Sequence, residues 1–81
     1  MRKKVPAVRV AFSKRLRDLR ADKGFDTARE FAQALGVEED TYTRWERAET
    51  EPNLSLIMRI CQVLGITPDA LFLHLKTLHT I

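Results

Sequence analysis

One cysteine, three glycines, three prolines and a 7% share of aromatic residues are what this 81-residue sequence has little of. A lone thiol, Cys61, cannot close an internal disulfide. That excludes a disulfide-stapled secreted fold and makes a reducing cytoplasm the expected setting. So few glycines and prolines also exclude collagen-like and low-complexity chains. Long hydrophobic runs are missing as well. The longest stretch free of Asp, Glu, Lys and Arg is Ile60–Pro68, about half the ~18 residues of a membrane-spanning helix. No apolar segment suited to a signal peptide follows the basic start. The expectation is one small soluble domain without a membrane partner, because the length leaves no room for a second core.

What is present is charge, unevenly placed. The net charge is +3 with 14 Lys and Arg against 11 Asp and Glu. Met1–Lys23 holds nine basic residues against two acidic, a net +7. Gly24–Glu51 reverses this with three against eight, a net −5, and Pro52–Ile81 returns to +1. A basic front followed by an acidic middle favours an anionic partner for the first and restrains it at the second.

Strand alternation is absent and helical spacing recurs. Val8, Phe12, Leu16 and Leu19 form one stripe, closed by Gly24. Ala28, Phe31, Ala32 and Leu35 form a second, closed by Gly36 and opened by Thr27-x-x-Glu30, the spacing of a capping box. A third short helix is expected from near Glu38, with Tyr42 and Trp45 inward and three acids (Glu38, Glu39, Asp40) at the positive end of its dipole. Pro52-Asn53 opens a fourth, with Ile57, Ile60, Cys61 and Leu64 on one face and Gly65 at its end. Thr67-Pro68 caps a fifth, whose stripe of Leu71, Leu75 and Leu78 runs almost to the terminus. The expected fold class is all-α, a compact five-helix bundle.

The informative stretch is Ala28–Arg47. Two helices crossing steeply need a small residue where they meet, supplied by Ala32, and a turn tolerant of positive φ, supplied by Gly36. Such a corner offers its second helix as an exposed ridge braced from behind. The ordered set Arg20, Phe31-Ala32, Leu35-Gly36-Val37, Tyr42, Trp45-Glu46-Arg47, Pro52-Asn53-Leu54, Leu64-Gly65-Ile66 and Leu71 resembles the Cro-like, phage-repressor-like (XRE) helix-turn-helix family. The resemblance spans roughly Phe12–Leu73. It departs from the family pattern at Ala28, often glutamine, and at Ala48, commonly glycine.

That resemblance implies a lambda-repressor-like DNA-binding domain and a sequence-specific prokaryotic transcriptional regulator, expected to be a repressor. Residues 38–47 would be the recognition helix, lying in the major groove of a palindromic operator in double-stranded DNA. Base contacts are expected from Glu39, Asp40, Thr43 and Arg44: arginine forks onto guanine, an acid accepts from cytosine, and a threonine methyl touches thymine. The acids at 38–40 have a plainer reading as a solvated helix start, and both readings stand at this point. Thr27 and Arg47 would lie near phosphates. Arg20 and Glu46 would form a structural ion pair that fixes the angle between helices. Residues 1–8 are expected as a basic arm, with Arg2, Lys3 and Lys4 reaching phosphates, ahead of the domain at 9–81. Lys14 and Arg17 would add phosphate contacts if they face outward.

Leu71, Phe72, Leu73, Leu75 and Leu78 exceed what one core-facing stripe needs, with Phe72 and Leu73 expected to point elsewhere. The surplus suggests a two-fold homodimer through the last helix, with Leu75, Leu78 and Ile81 at the seam. No effector domain is expected in the chain, so control would come through dimerisation or a protein partner. The rival readings are an antitoxin, which binds a toxin as well as DNA, and an interaction module that has lost DNA binding. An enzyme is the remotest reading. There is no nucleophile beside a base and no phosphate-cradling glycine loop, and no cofactor or metal is expected. His74 and His79, five apart, do not share a helix face. The protein is expected in the cytoplasm, on the nucleoid when bound to DNA.

Overall fold

The structure is a computed structural model that describes residues 6–73. Five helices follow one another: α1 (Ala7–Asp22), α2 (Ala28–Leu35), α3 (Glu39–Glu46), α4 (Leu54–Leu64) and α5 (Pro68–Leu71). Helix α1 begins at Ala7 behind Pro6, so Ala7 and Val8 belong to the domain rather than to the expected arm. Val8 already packs against the core. Residues 1–5 and 74–81 lie outside the described residues, and with them the expected contacts of Arg2, Lys3, Lys4, Leu75, Leu78 and Ile81.

Local chemistry sets most boundaries. The Thr27 hydroxyl accepts from the Glu30 amide while the Glu30 carboxylate accepts from the Thr27 amide, closing the capping box. Asn53 and Thr67 cap α4 and α5 without a reciprocal bond, their side-chain oxygens accepting from the Leu56 and Ala70 amides. Gly36 and Gly65 end α2 and α4 in the left-handed conformation, each donating its amide back into the last turn. These short connections force the helices to fold back on one another.

The core gathers Phe12, Leu16, Leu19, Phe31, Ala32, Leu35, Tyr42, Trp45, Ile60, Cys61, Leu64 and Leu71. Each large apolar side chain so buried contributes roughly 1.5–3 kcal/mol relative to exposure. Four aromatic rings run in sequence through one side: Phe25 to Phe31 at 4.9 Å, Phe31 to Tyr42 at 5.3 Å, and Tyr42 to Trp45 at 5.7 Å. The last two meet edge to face, the arrangement that ring quadrupoles favour. Tyr42 and Trp45 are therefore packing residues. Phe72 departs from expectation. It follows the last regular residue of α5 and turns back, its ring 5.8 Å from Phe12, so it covers the core instead of pointing away. Leu73 is exposed as expected.

Candidate nucleic-acid interface

Helix α3 presents its ridge because α2 lies directly behind it. Ala32, small and 1% exposed, lets the two helices approach, and Gly36 at φ 77° turns the chain between them. Tyr42 and Trp45 anchor the inner side of α3. Glu39, Asp40 and Arg44 are exposed on its outer side, with Thr43 half-buried between them. The four expected base-reading side chains thus share one short helix whose back is fixed in the core.

The angle of that helix is locked by a buried charge cluster. Arg20 Nε of α1 lies 2.7 Å from Glu46 Oε2 at the end of α3, and both side chains are nearly buried. The same Glu46 oxygen accepts from the Tyr42 hydroxyl, and Arg20 Nη1 donates to the Phe25 carbonyl at 2.8 Å. Burial works against the charged guanidinium. The hydrogen bond and charge of Glu46 outweigh it, so the Arg20 pKa lies above its ordinary value. Burial, then Glu46, pushes the Tyr42 hydroxyl far above its ordinary range. A pair at this depth, with the Tyr42 hydroxyl and the Phe25 carbonyl as further partners, gives α1 and α3 one mutual orientation.

The −5 of the middle segment is less hostile to an anion than its sum suggests. Glu46 is held by Arg20, Asp40 lies 3.3 Å from Arg44 Nε, and Glu51 lies 3.5 Å from Arg9 Nε. Glu30 is engaged in its capping box. Four of the eight carboxylates are therefore matched with local positive charge or amides. Glu38 and Glu39 sit at the positive end of the α3 dipole.

The expected phosphate-binding residues separate into groups. Arg47 is exposed at the C-terminal cap of α3, next to the ridge. Thr27 caps α2, accepting with its oxygen, so its O–H is still able to donate. Arg17 is exposed and precedes Arg20 by three residues, which puts it on the α3 side of α1. Lys14 is exposed as well. It lies roughly 120° around α1 from Arg20, with Ala11, Arg15 and Asp18 beside it.

Three arginines do structural work that the sequence pattern did not reveal. Arg15 donates twice to the Ala70 carbonyl, at 2.8 and 3.3 Å, clamping α5 to α1. Arg59 donates to the Leu35 carbonyl at 3.0 Å, clamping α4 to the end of α2. Arg9 reaches the Glu49 carbonyl at 3.4 Å as well as Glu51, tying the start of α1 to the loop after α3. All four partners are 24 or more residues away, and two of the clamps end on backbone carbonyls alone. Among the described residues no helix is long and apolar enough to cross a membrane.

The arrangement has counterparts among known proteins. The sequence model of a family described as "Helix-turn-helix domain" matches residues 11–75. An SPbeta prophage-derived uncharacterized HTH-type transcriptional regulator, YonR of Bacillus subtilis (strain 168), is 32% identical over 60 residues. That match takes in 74% of this chain and 55% of the relative, so the chain spans about half the relative's length. The crystal structure of the clp gene regulator ClgR from C. glutamicum superposes with a TM-score of 0.77 at 30% identity, covering 94% of this chain and 97% of that one. A hypothetical transcription factor, NHTF from Neisseria, shares the fold at TM-score 0.74 and 23% identity, over 95% of each chain.

Proposed function

The chain belongs to the helix-turn-helix domain family, and from that membership we propose that it is a DNA-binding transcription regulator whose α3 lies in the major groove of duplex DNA. The observation that carries this reading is the locked ridge. Glu39, Asp40 and Arg44 face out, with Thr43 half-buried between them, from a helix whose inner side is buried and whose angle is held by Arg20 and Glu46. A helix fits the major groove, and the polar edges of bases are read there by side chains of these types. Arg17, Thr27 and Arg47 flank the ridge as phosphate contacts, with Arg2, Lys3 and Lys4 added by the N-terminal segment.

An eight-residue helix reads only part of one groove face, so a two-fold dimer on a palindromic site is part of the proposal, with repression as its outcome. Support for a second copy comes from apolar side chains exposed on α4 and after α5. Leu54 and Met58 are exposed one turn apart on α4, and Leu73 is exposed after α5, where the leucines of the tail follow. Sedimentation velocity at tens of micromolar should show a dimer, and a monomer there rejects that part.

The direct test is fluorescence anisotropy with random duplex DNA across a salt series. Displacement of counterions by arginine and lysine makes affinity fall steeply with salt, at least about ten-fold between roughly 50 and 200 mM. Affinity independent of salt, or none at low salt, overturns the reading.

A further inference from the structure

One contact on the α3 ridge decides how a base would be read. Arg44 Nε lies 3.3 Å from Asp40 Oδ2 one helical turn earlier, with both side chains more than half exposed. A guanidinium carries one N–H on Nε and two on each terminal nitrogen. A carboxylate beside Nε attracts that end of the group as an ion pair and leaves the N–H bonds of both terminal nitrogens to other partners. Those donors match O6 and N7 of guanine on the floor of the major groove. Thr43 gives its hydroxyl proton to the Asp40 carbonyl at 3.0 Å, so the Asp40 carboxylate is left to Arg44.

Resting on the reading that α3 enters the major groove, we propose that Asp40 is a positioning residue, not a base reader. Its carboxylate holds the Arg44 guanidinium in the orientation that forks onto guanine, and each bound copy therefore demands a G·C pair at one position. This also explains an acid on a surface meant for phosphates. Paired with Arg44, Asp40 enters the groove as part of a neutral unit. In open water such a pair is weak, and it strengthens as the groove excludes solvent.

The test is selection from a randomised duplex library by the full chain and by Asp40→Ala, Asp40→Asn, Arg44→Ala and the double variant Asp40→Ala/Arg44→Ala. Both positions are exposed, and circular dichroism checks that helix content is kept. Duplexes enriched by the unmodified chain should share a guanine whose replacement by adenine weakens binding about 5- to 150-fold. Arg44→Ala should erase that preference. Asp40→Ala should reduce it at the same position by about three-fold or more, while binding to random duplex holds or rises with a carboxylate gone. In the double variant the loss of Asp40 should add nothing at that position. Asp40→Asn, which keeps an oxygen for Nε, should recover part of the preference.

A preference altered at a different base pair means that Asp40 reads a base itself, and a sharper preference for guanine means that it restrains Arg44. Either result overturns the proposal, as does an unchanged preference or an enriched set without the guanine. A chain that binds no duplex at all overturns the underlying reading instead.

Discussion

Ala48 is the one described residue other than glycine with a positive φ, at 60°, and it is buried just past the end of α3. The left-handed conformation costs an L-residue roughly 1–2 kcal/mol. Ala48→Gly should therefore raise stability by about 0.5–1 kcal/mol in urea denaturation, although the same exchange inside a helix lowers it. A lower midpoint would contradict the conformation. Arg20 and Glu46 lie at the other extreme of sensitivity. Arg20→Ala strands a nearly buried carboxylate beside the Tyr42 hydroxyl and should cost about 3–5 kcal/mol. Tyr42 itself sets an alkaline limit. Its folded pKa is raised above the ordinary 10.0 by burial first and Glu46 second. The native state keeps that proton after the unfolded chain has released it, so this contribution is complete below about pH 10 and lost as pH rises beyond. Tyr42→Phe should flatten the alkaline decline in stability measured from about pH 8 to about pH 11. Cys61, whose thiol burial also raises from 9.0, leaves a remainder. A decline equally steep in the phenylalanine variant would place its cause elsewhere.

At the scale of elements, what was legible in the sequence was local. The capping box of Thr27 and Glu30, the caps at Asn53 and Thr67, and the stops at Gly36 and Gly65 act within one turn, so residue type and spacing suffice to place them. The pairing of Arg20 with Glu46 became legible only through the family resemblance, since 26 residues separate them. The clamps by Arg9, Arg15 and Arg59 left no such trace. A backbone carbonyl has no identity in a sequence, and only the folded path brings Leu35 or Ala70 within reach. Phe72 misled for a related reason. Its direction depends on where α5 loses regularity, and the leucine spacing carries no mark of that. The Arg59 clamp predicts a measurable cost. Arg59→Met keeps the length and apolar stem but drops the charged hydrogen bond, and should lower stability by about 1.5 kcal/mol. An unchanged urea midpoint would show that the clamp contributes nothing.

Over the whole molecule the division of charge is one of roles more than of halves. Of the basic residues described on α1, Arg9, Arg15 and Arg20 are committed to internal contacts, while Lys14 and Arg17 remain exposed. The cations left to meet phosphates at the proposed interface are then Lys14, Arg17 and Arg47 together with the N-terminal segment, since Arg44 is paired with Asp40. Removing residues 1–4 should lower the salt slope of duplex binding by about 1–3, near one for each phosphate that is no longer neutralised. An unchanged slope would free Arg2, Lys3 and Lys4 from any such part. The question beneath all of this is which face of the bundle meets DNA. Titration of the isotopically labelled chain with short duplex DNA at low ionic strength, followed by amide resonances, answers it directly. Glu39, Asp40, Thr43, Arg44 and Thr27 should shift most, with Ala70 and Leu71 on the far clamp of α1 nearly still. If α3 stays silent while α4 or α5 responds, the locked ridge is not the DNA-binding surface.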